Sequence, residues 1–384
     1  MEKIAINPTR LQWCMNASEL DIGTLSKSLH IAEKTLELVM ANKTVLSVNQ
    51  LERIATFFKR SLLFFLDPNE VQEEQIYSPQ FRTINNQKLI RSTKLRALIE
   101  RIEKHRQVYI GLLEDLDESS PSDWMPEFTL TTKNIKQASA KVRQWLNLPV
   151  KYGFDDLRQA VENKGVMVVV SNGYNGQWQI DKNEPVRGFS LYYEILPIVV
   201  IKKQESKGAQ AFTLMHELAH LLLHKESAID DEKDFHRYQG KEKDANEFAG
   251  NLLIPDDFLS QINTGHLLNL DVAEYDNYLA NFKSQWCVSV EAILVRLLIN
   301  NKISQQNYQN YKNFKNTQSK ITVKRKTDKI PRTYRHREPV NVFGRPFVYA
   351  VFDSLHNKQI TLAKASTYLD NLKISDVRQL EKYV

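Results

Sequence analysis

Cysteine is scarce: Cys14 and Cys287 are the only two in 384 residues and form no CxxC pair. At most one disulfide can form, which suits a reducing, cytoplasmic setting better than a disulfide scaffold. Long apolar runs are also lacking, since nothing approaches the roughly 20 residues that span a bilayer. The N-terminal MEKIAINPTRLQW has neither a continuous apolar run nor a small-residue cleavage site, so neither secretion nor a membrane partner is expected. Internal repeats and extended low-complexity tracts are absent as well. What remains is ordinary globular composition, 42% hydrophobic and 26% charged, in a chain long enough for two or three domains. A net charge of +6 permits an acidic partner such as DNA without demanding one. Much of that excess sits between Lys312 and Arg345, where eleven Lys or Arg face only Asp328 and Glu338. This segment reads as a solvated linker or a phosphate-binding strip in which Tyr334 and His336 could stack on bases.

Apolar periodicity divides the chain. Leu11, Leu20, Leu25, Leu29, Leu36, Val39, Leu51, Ile54 and Phe57 recur at helical offsets and predict a small helical bundle to about residue 67. Gly23 to Met40 has the length and apolar spacing of a helix-turn-helix, with Asp21, Ser28 and Thr35 as cap or turn residues. The acidic, Pro-containing DPNEVQEEQIYSP predicts a linker, and Leu89 to Leu116 a long exposed helix. Helices are expected from Asn134 to Trp145 and from Phe154 to Lys164, then strands in GVMVVVSN, VRGFSLYY and PIVVIKK. A long helix from Lys207 to His224 follows. The fold class is therefore α+β, mainly α. The domain plan is 1–67 helix-turn-helix-like, 68–133 linker and connecting helix, 134–310 a domain with a small sheet, 311–345 a basic linker, and 346–384 a helical extension.

The chemistry lies in FTLMHELAHLLLH. His216 and His220, four apart on a helix, project from one face and can bind one metal ion. Glu217 sits beside the first of them, placed to accept a proton from water. Zn²⁺, one per chain, is the expected ion, and a catalytic zinc needs a third protein ligand. His224 lies about 6 Å further along a continuous helix and reads as a surface or core histidine. Downstream, KEKDANEFAGNLLIP places Glu242 and Asn246 on one helix face opposite Ala245, Phe248, Ala249, Leu252 and Leu253. Glu242 is the preferred third ligand, with Asn246 supporting it. Asp244, about half a turn away, and His236 are alternatives.

At these residues the sequence resembles the ImmA/IrrE family of metallopeptidases, in which HExxH is followed by a helix of the form ExxANxFAxxLLxP. Here that helix reads Glu242, Ala245, Asn246, Phe248, Ala249, Leu252, Leu253 and Pro255. PIVVIKK and VSVEAILVRLLINNKIS also look like that family, and residues 11–68 look like the XRE-type helix-turn-helix fused upstream of such peptidases. SPQFRT and the C-terminal GRPFVYAVFDSLHNKQITLAKASTYL are similar to segments of the same architecture. The resemblance implies a zincin-like endopeptidase whose substrate is a protein, a transcriptional repressor or regulator encoded nearby.

Tyr238 and His236, lying between the ligands in sequence, are candidate transition-state stabilisers. GFSLYY could pair with an extended substrate, although a core strand is its simpler role. The rival reading is a DNA-binding or antitoxin-like regulator, a homodimer being one form, in which the metallopeptidase-like domain senses or docks. Lys34, Thr35 and Lys43 are its candidate DNA contacts. Glu33 and Glu37 on the same helix make a poor base-reading set, and protein docking or dimerisation is the other use of that bundle. Trp13 is assigned to the core.

Overall fold

The computed structural model describes residues 3–72, 78–87, 90, 92–116, 124–171, 177–181, 184–203, 206–231, 240–319 and 332–384. They fall into two compact units, Met1–Lys104 with Gln179–Glu184 and His105–Trp178 with Pro185–Val384. Helices dominate, with one small mixed sheet among the described residues. None of these helices is long and apolar enough to cross a membrane.

The first unit holds α1 (Pro8–Ala17), α2 (Ile22–Leu29), α3 (Glu33–Met40), α4 (Val48–Phe58), α5 (Leu62–Leu66) and α6 (Pro79–Gln87), and the start of α7 (Thr93–Asp115). Local chemistry sets its boundaries. Pro8 opens α1 behind the Asn7 cap, where its missing N–H costs nothing. Asp21 caps α2, and Ser47 with Gln50 forms a reciprocal capping box on α4. His30, at φ 51°, ends α2 in the left-handed region. Leu11, Leu25, Leu36, Leu46, Ile54 and Phe65 are fully buried, while Lys34 and Lys43 are exposed and Thr35 half-buried. Trp13 packs against this core, its ring 6.0 Å from that of Phe64. Helix α6 occupies residues for which the sequence suggested no element; the Ser78 hydroxyl accepts from the Phe81 N–H at 2.9 Å and starts it.

The second unit carries α8 (Ile135–Trp145), α9 (Phe154–Glu162), β1 (Met167–Val170), β2 (Val186–Leu191), β3 (Ile198–Ile201), α10 (Lys207–Ala219), β4 (Ala228–Asp231) and α11 (Gly240–Leu253), followed by further helices. The sheet order is β1-β3-β2-β4, with β1 and β3 parallel and the other pairs antiparallel. Every residue of β3 is buried, as expected of a Val/Ile run covered on both faces. Strand β2, which contains GFSL, pairs with β3 on one side and β4 on the other, so it takes the simpler role of a core strand and has no free edge for a substrate strand. The segment AIDD, given no structure from sequence, forms the edge strand β4.

Helix α10 is capped by Ser206 and buried from Thr213 to Ala219. It does not continue as an α-helix to His224; its last turn, His220–His224, widens to a π-helix that Lys225 ends at φ 50°. Widened turns of this kind recur at functional sites. Arg158 on α9 ties the C-terminal helices to this core, donating to Val168 O and Asn341 O, each at 2.7 Å, while pairing with Glu162 at 2.7 Å. In the basic stretch, Gln305–Ser319, Arg332–Arg337 and Glu338–Phe343 are helical; the part between them lies outside the described residues.

His105 is buried against Phe343, Phe347 and Trp178, its ring 4.0 Å from that of Phe343. Its Nε2 has no hydrogen-bond partner, and burial pushes its pKa down to about 3. In the unfolded chain a histidine titrates near 6.5. The unfolded state therefore binds the extra proton first, so stability is unaffected above about pH 6.5 and is lost as pH falls from there toward 3. Relative to neutral pH, the loss at about pH 4.5 should be about 3 kcal/mol. His105→Phe keeps an aromatic ring in place and removes the titration. Urea unfolding at both pH values should show the variant losing less stability on acidification by about that amount.

Candidate metal centre

Four buried or half-buried side chains converge between α10, β4 and α11: His216, His220, Asp230 and Glu242, with one donor atom from each within 4.8 Å of the others. The helical period puts His216 and His220 on one face of α10, and their Nε2 atoms lie 3.2 Å apart. Glu242, in the first turn of α11, reaches His216 Nε2 at 3.4 Å and His220 Nε2 at 3.8 Å. Asp230 Oδ2, from β4, reaches the same two nitrogens at 3.3 and 3.5 Å. For metal–nitrogen and metal–oxygen distances of about 2.0–2.1 Å, the corners of a tetrahedron lie about 3.3–3.4 Å apart. The spacing of these donors therefore fits a zinc-sized ion, and two imidazoles with two carboxylates suit zinc chemically.

The electrostatics agree with a site built for a cation. Burial alone would lower the pKa of His216, but its hydrogen bonds to Asp230 and Glu242 outweigh burial and raise it to about 9. His220 is pushed down to about 3, chiefly by burial, and so stays neutral, the form in which imidazole binds a metal. Burial and the neighbouring charge of Asp230 hold Glu217 well above the usual carboxylate range. Asp230 is held well below it, against the effect of burial, by its hydrogen bond to His216.

Glu217 points from α10 toward β2. Gly188 and Ser190 face it, and Asp230 pairs with Gly188 across the sheet and shares that face. A Cβ on Gly188 would sit 2.6 Å from Thr213 Cγ2 and 2.8 Å from Glu217 Oε1, too close for either to stay in place. Gly188→Ala should therefore leave metal binding intact while displacing the Glu217 carboxylate. A misplacement of about 1 Å can cost roughly 100-fold in rate, so turnover should fall on that order with zinc content unchanged.

Of the other residues singled out from sequence, His224 lies behind His220, with the Nδ1 atoms 3.0 Å apart. Asp244 approaches His224 Nε2 at 3.9 Å and is not among the four clustered donors. Asn246, one turn beyond Glu242, lines a cleft of about 500 Å³ with Phe212, Thr213, Val288, Ala292 and Ile299. Tyr238 and His236 lie outside the described residues. Asp230 was missed; its one sequence signal was an isolated Ile-Asp-Asp between the two helices, which no ligand spacing rule selects.

Residues 163–298 match the peptidase M78 family model, described as an IrrE N-terminal-like domain. The span covers β1 to β4, α10, α11 and the whole donor cluster, so this part of the chain is a metallopeptidase-type domain. Helices α1 to α7 lie outside the match. A comparison with curated proteins finds no match.

Proposed function

We propose that the chain is a zinc-dependent endopeptidase whose metal is held by His216, His220 and Glu242 and whose proton-transfer group is Glu217. The observation that carries this reading is the pair of Nε2 atoms 3.2 Å apart, with Glu242 at 3.4 and 3.8 Å, beside a buried glutamate. Zinc in such a site supplies Lewis acidity that polarises a peptide carbonyl and makes water a stronger acid. Glu217, next to the first ligand and screened from solvent, takes a proton from the attacking water and delivers it to the departing amine. Burial raises the proton affinity of its carboxylate, which strengthens it as the acceptor. His224, behind His220, orients that imidazole, as outer partners of metal-bound histidines do.

The cleft beside Phe212 and Asn246 is mainly apolar and large enough for side chains of an extended polypeptide. We infer a protein substrate, a transcriptional repressor or regulator, from the resemblance of the motifs and of the N-terminal bundle to fused regulators. In the second reading, a DNA-binding or antitoxin-like regulator uses the same domain as a sensor or docking module. Exposed Lys34 and Lys43 support it and their acidic neighbours Glu33 and Glu37 weigh against it. Metal analysis of the purified protein is the test. One zinc per chain is expected; a metal-free protein overturns the peptidase reading, and zinc without hydrolysis of any protein favours the regulator.

A further inference from the structure

The donor set holds one carboxylate more than a catalytic zinc site uses. Catalytic sites keep three protein ligands and an open position, whereas four protein ligands make a closed site. Asp230 is 1% exposed. Its Oδ2 stands 3.3 and 3.5 Å from the two imidazole Nε2 atoms, the same nitrogens that Glu242 faces. A carboxylate that merely oriented a histidine would approach the ring nitrogen turned away from the metal; here that place behind His220 is taken by His224. Asp230 thus stands at a fourth corner of the tetrahedron rather than behind one of the other three.

Its position is set by the sheet. Strand β4 is an edge strand paired only with β2 among the described strands. The pairing runs in step from Ser190↔Ala228 to Gly188↔Asp230 and then slips, Val186 facing Asp231 with Arg187 as the extra residue. Asp230 is the last residue before that slip. It shares a face with Ala228, across from Gly188 and Ser190 on the side where Glu217 lies. Bulges near sheet edges re-aim side chains in this way.

We propose that Asp230 is a fourth protein ligand that closes the metal site, so that this four-donor arrangement is a resting form in which Asp230 must swing off the metal before water and substrate can reach it. This rests on the peptidase reading and adds a built-in control to it. The carboxylate occupies the position the reaction needs, and Glu217 stands beside it. Entry of a substrate carbonyl at that corner and release of Asp230 are then one exchange, which keeps the enzyme silent toward peptides that cannot displace it.

The test uses the full-length protein loaded with Co²⁺ in place of zinc, with acetohydroxamate as a small metal-binding probe. In the native protein the visible spectrum should be that of a four-coordinate ion and should change little with the probe. In Asp230→Ala the position opens, and the same probe concentration should shift the spectrum. Zinc affinity should drop by more than the roughly 10–100-fold lost with an outer-shell partner. Asp230→Cys guards against a folding defect, because a thiolate-to-cobalt band in the near ultraviolet arises only if position 230 touches the ion; Cys14 and Cys287 are both buried apart from the cluster. A native spectrum that already responds to the probe as fully as Asp230→Ala does, or an Asp230→Cys protein with bound cobalt and no such band, overturns the proposal and leaves the peptidase reading standing. A native protein that binds neither cobalt nor zinc overturns both.

Discussion

Glu217→Gln should keep its full complement of zinc and lose hydrolysis by about 100- to 10,000-fold, the range supplied by a positioned general base. The substitution is nearly isosteric and the side chain is completely buried, so packing against β2 survives while the proton acceptor does not. Gly188 leaves no spare room beside Glu217 Oε1, so no other carboxylate fits beside that position. Asp230, whose charge acts most strongly on Glu217, faces the two imidazoles at 3.3 and 3.5 Å. The measurement is cleavage of a protein substrate beside metal content on the same preparations. Zinc retained with hydrolysis unchanged would remove Glu217 from the reaction, and zinc lost with hydrolysis would make its role structural.

Metal removal has the second large effect. His216 and Asp230 are almost inaccessible to solvent, and Glu242 is only partly exposed. Without a cation, two carboxylates and two imidazoles must share one pocket, stabilised only by their mutual hydrogen bonds. Zinc bound at 100 times its dissociation constant should add about 2.7 kcal/mol to the folded state. For a unit of this size that corresponds to a rise in Tm on the order of 5–10 °C. Scanning calorimetry with zinc and with a chelator should show this shift in the native protein and lose it in His216→Ala and Glu242→Ala. The same shift persisting in both variants would place the stabilising zinc elsewhere.

Several features were readable because they depend on a short-range period. HExxH on an apolar helix puts two imidazoles on one face whatever surrounds it, and the Val/Ile runs of β1 and β3 announce buried strands. The helix boundaries follow the same logic, since Asp21, Ser47 and Ser206 act as caps through contacts two or three residues away. Glu242 was accessible as a candidate because Asn246 and the apolar face opposite define a helix of known pitch.

What the sequence by itself determined is therefore the local geometry: an α-rich chain, the two histidines with their glutamate, and the downstream helix that offers a carboxylate. Tertiary structure alone decided which carboxylates meet those histidines. Asp230 arrives on an edge strand whose register slips at Arg187, and Asp244 turns to His224 instead of the cluster. The π turn at His220–His224 brings His224 against His220. Gly188 matters because β2 passes within contact of Glu217. Each of these depends on pairing between segments distant in the chain, and no periodic pattern within one segment records the register in which two segments meet.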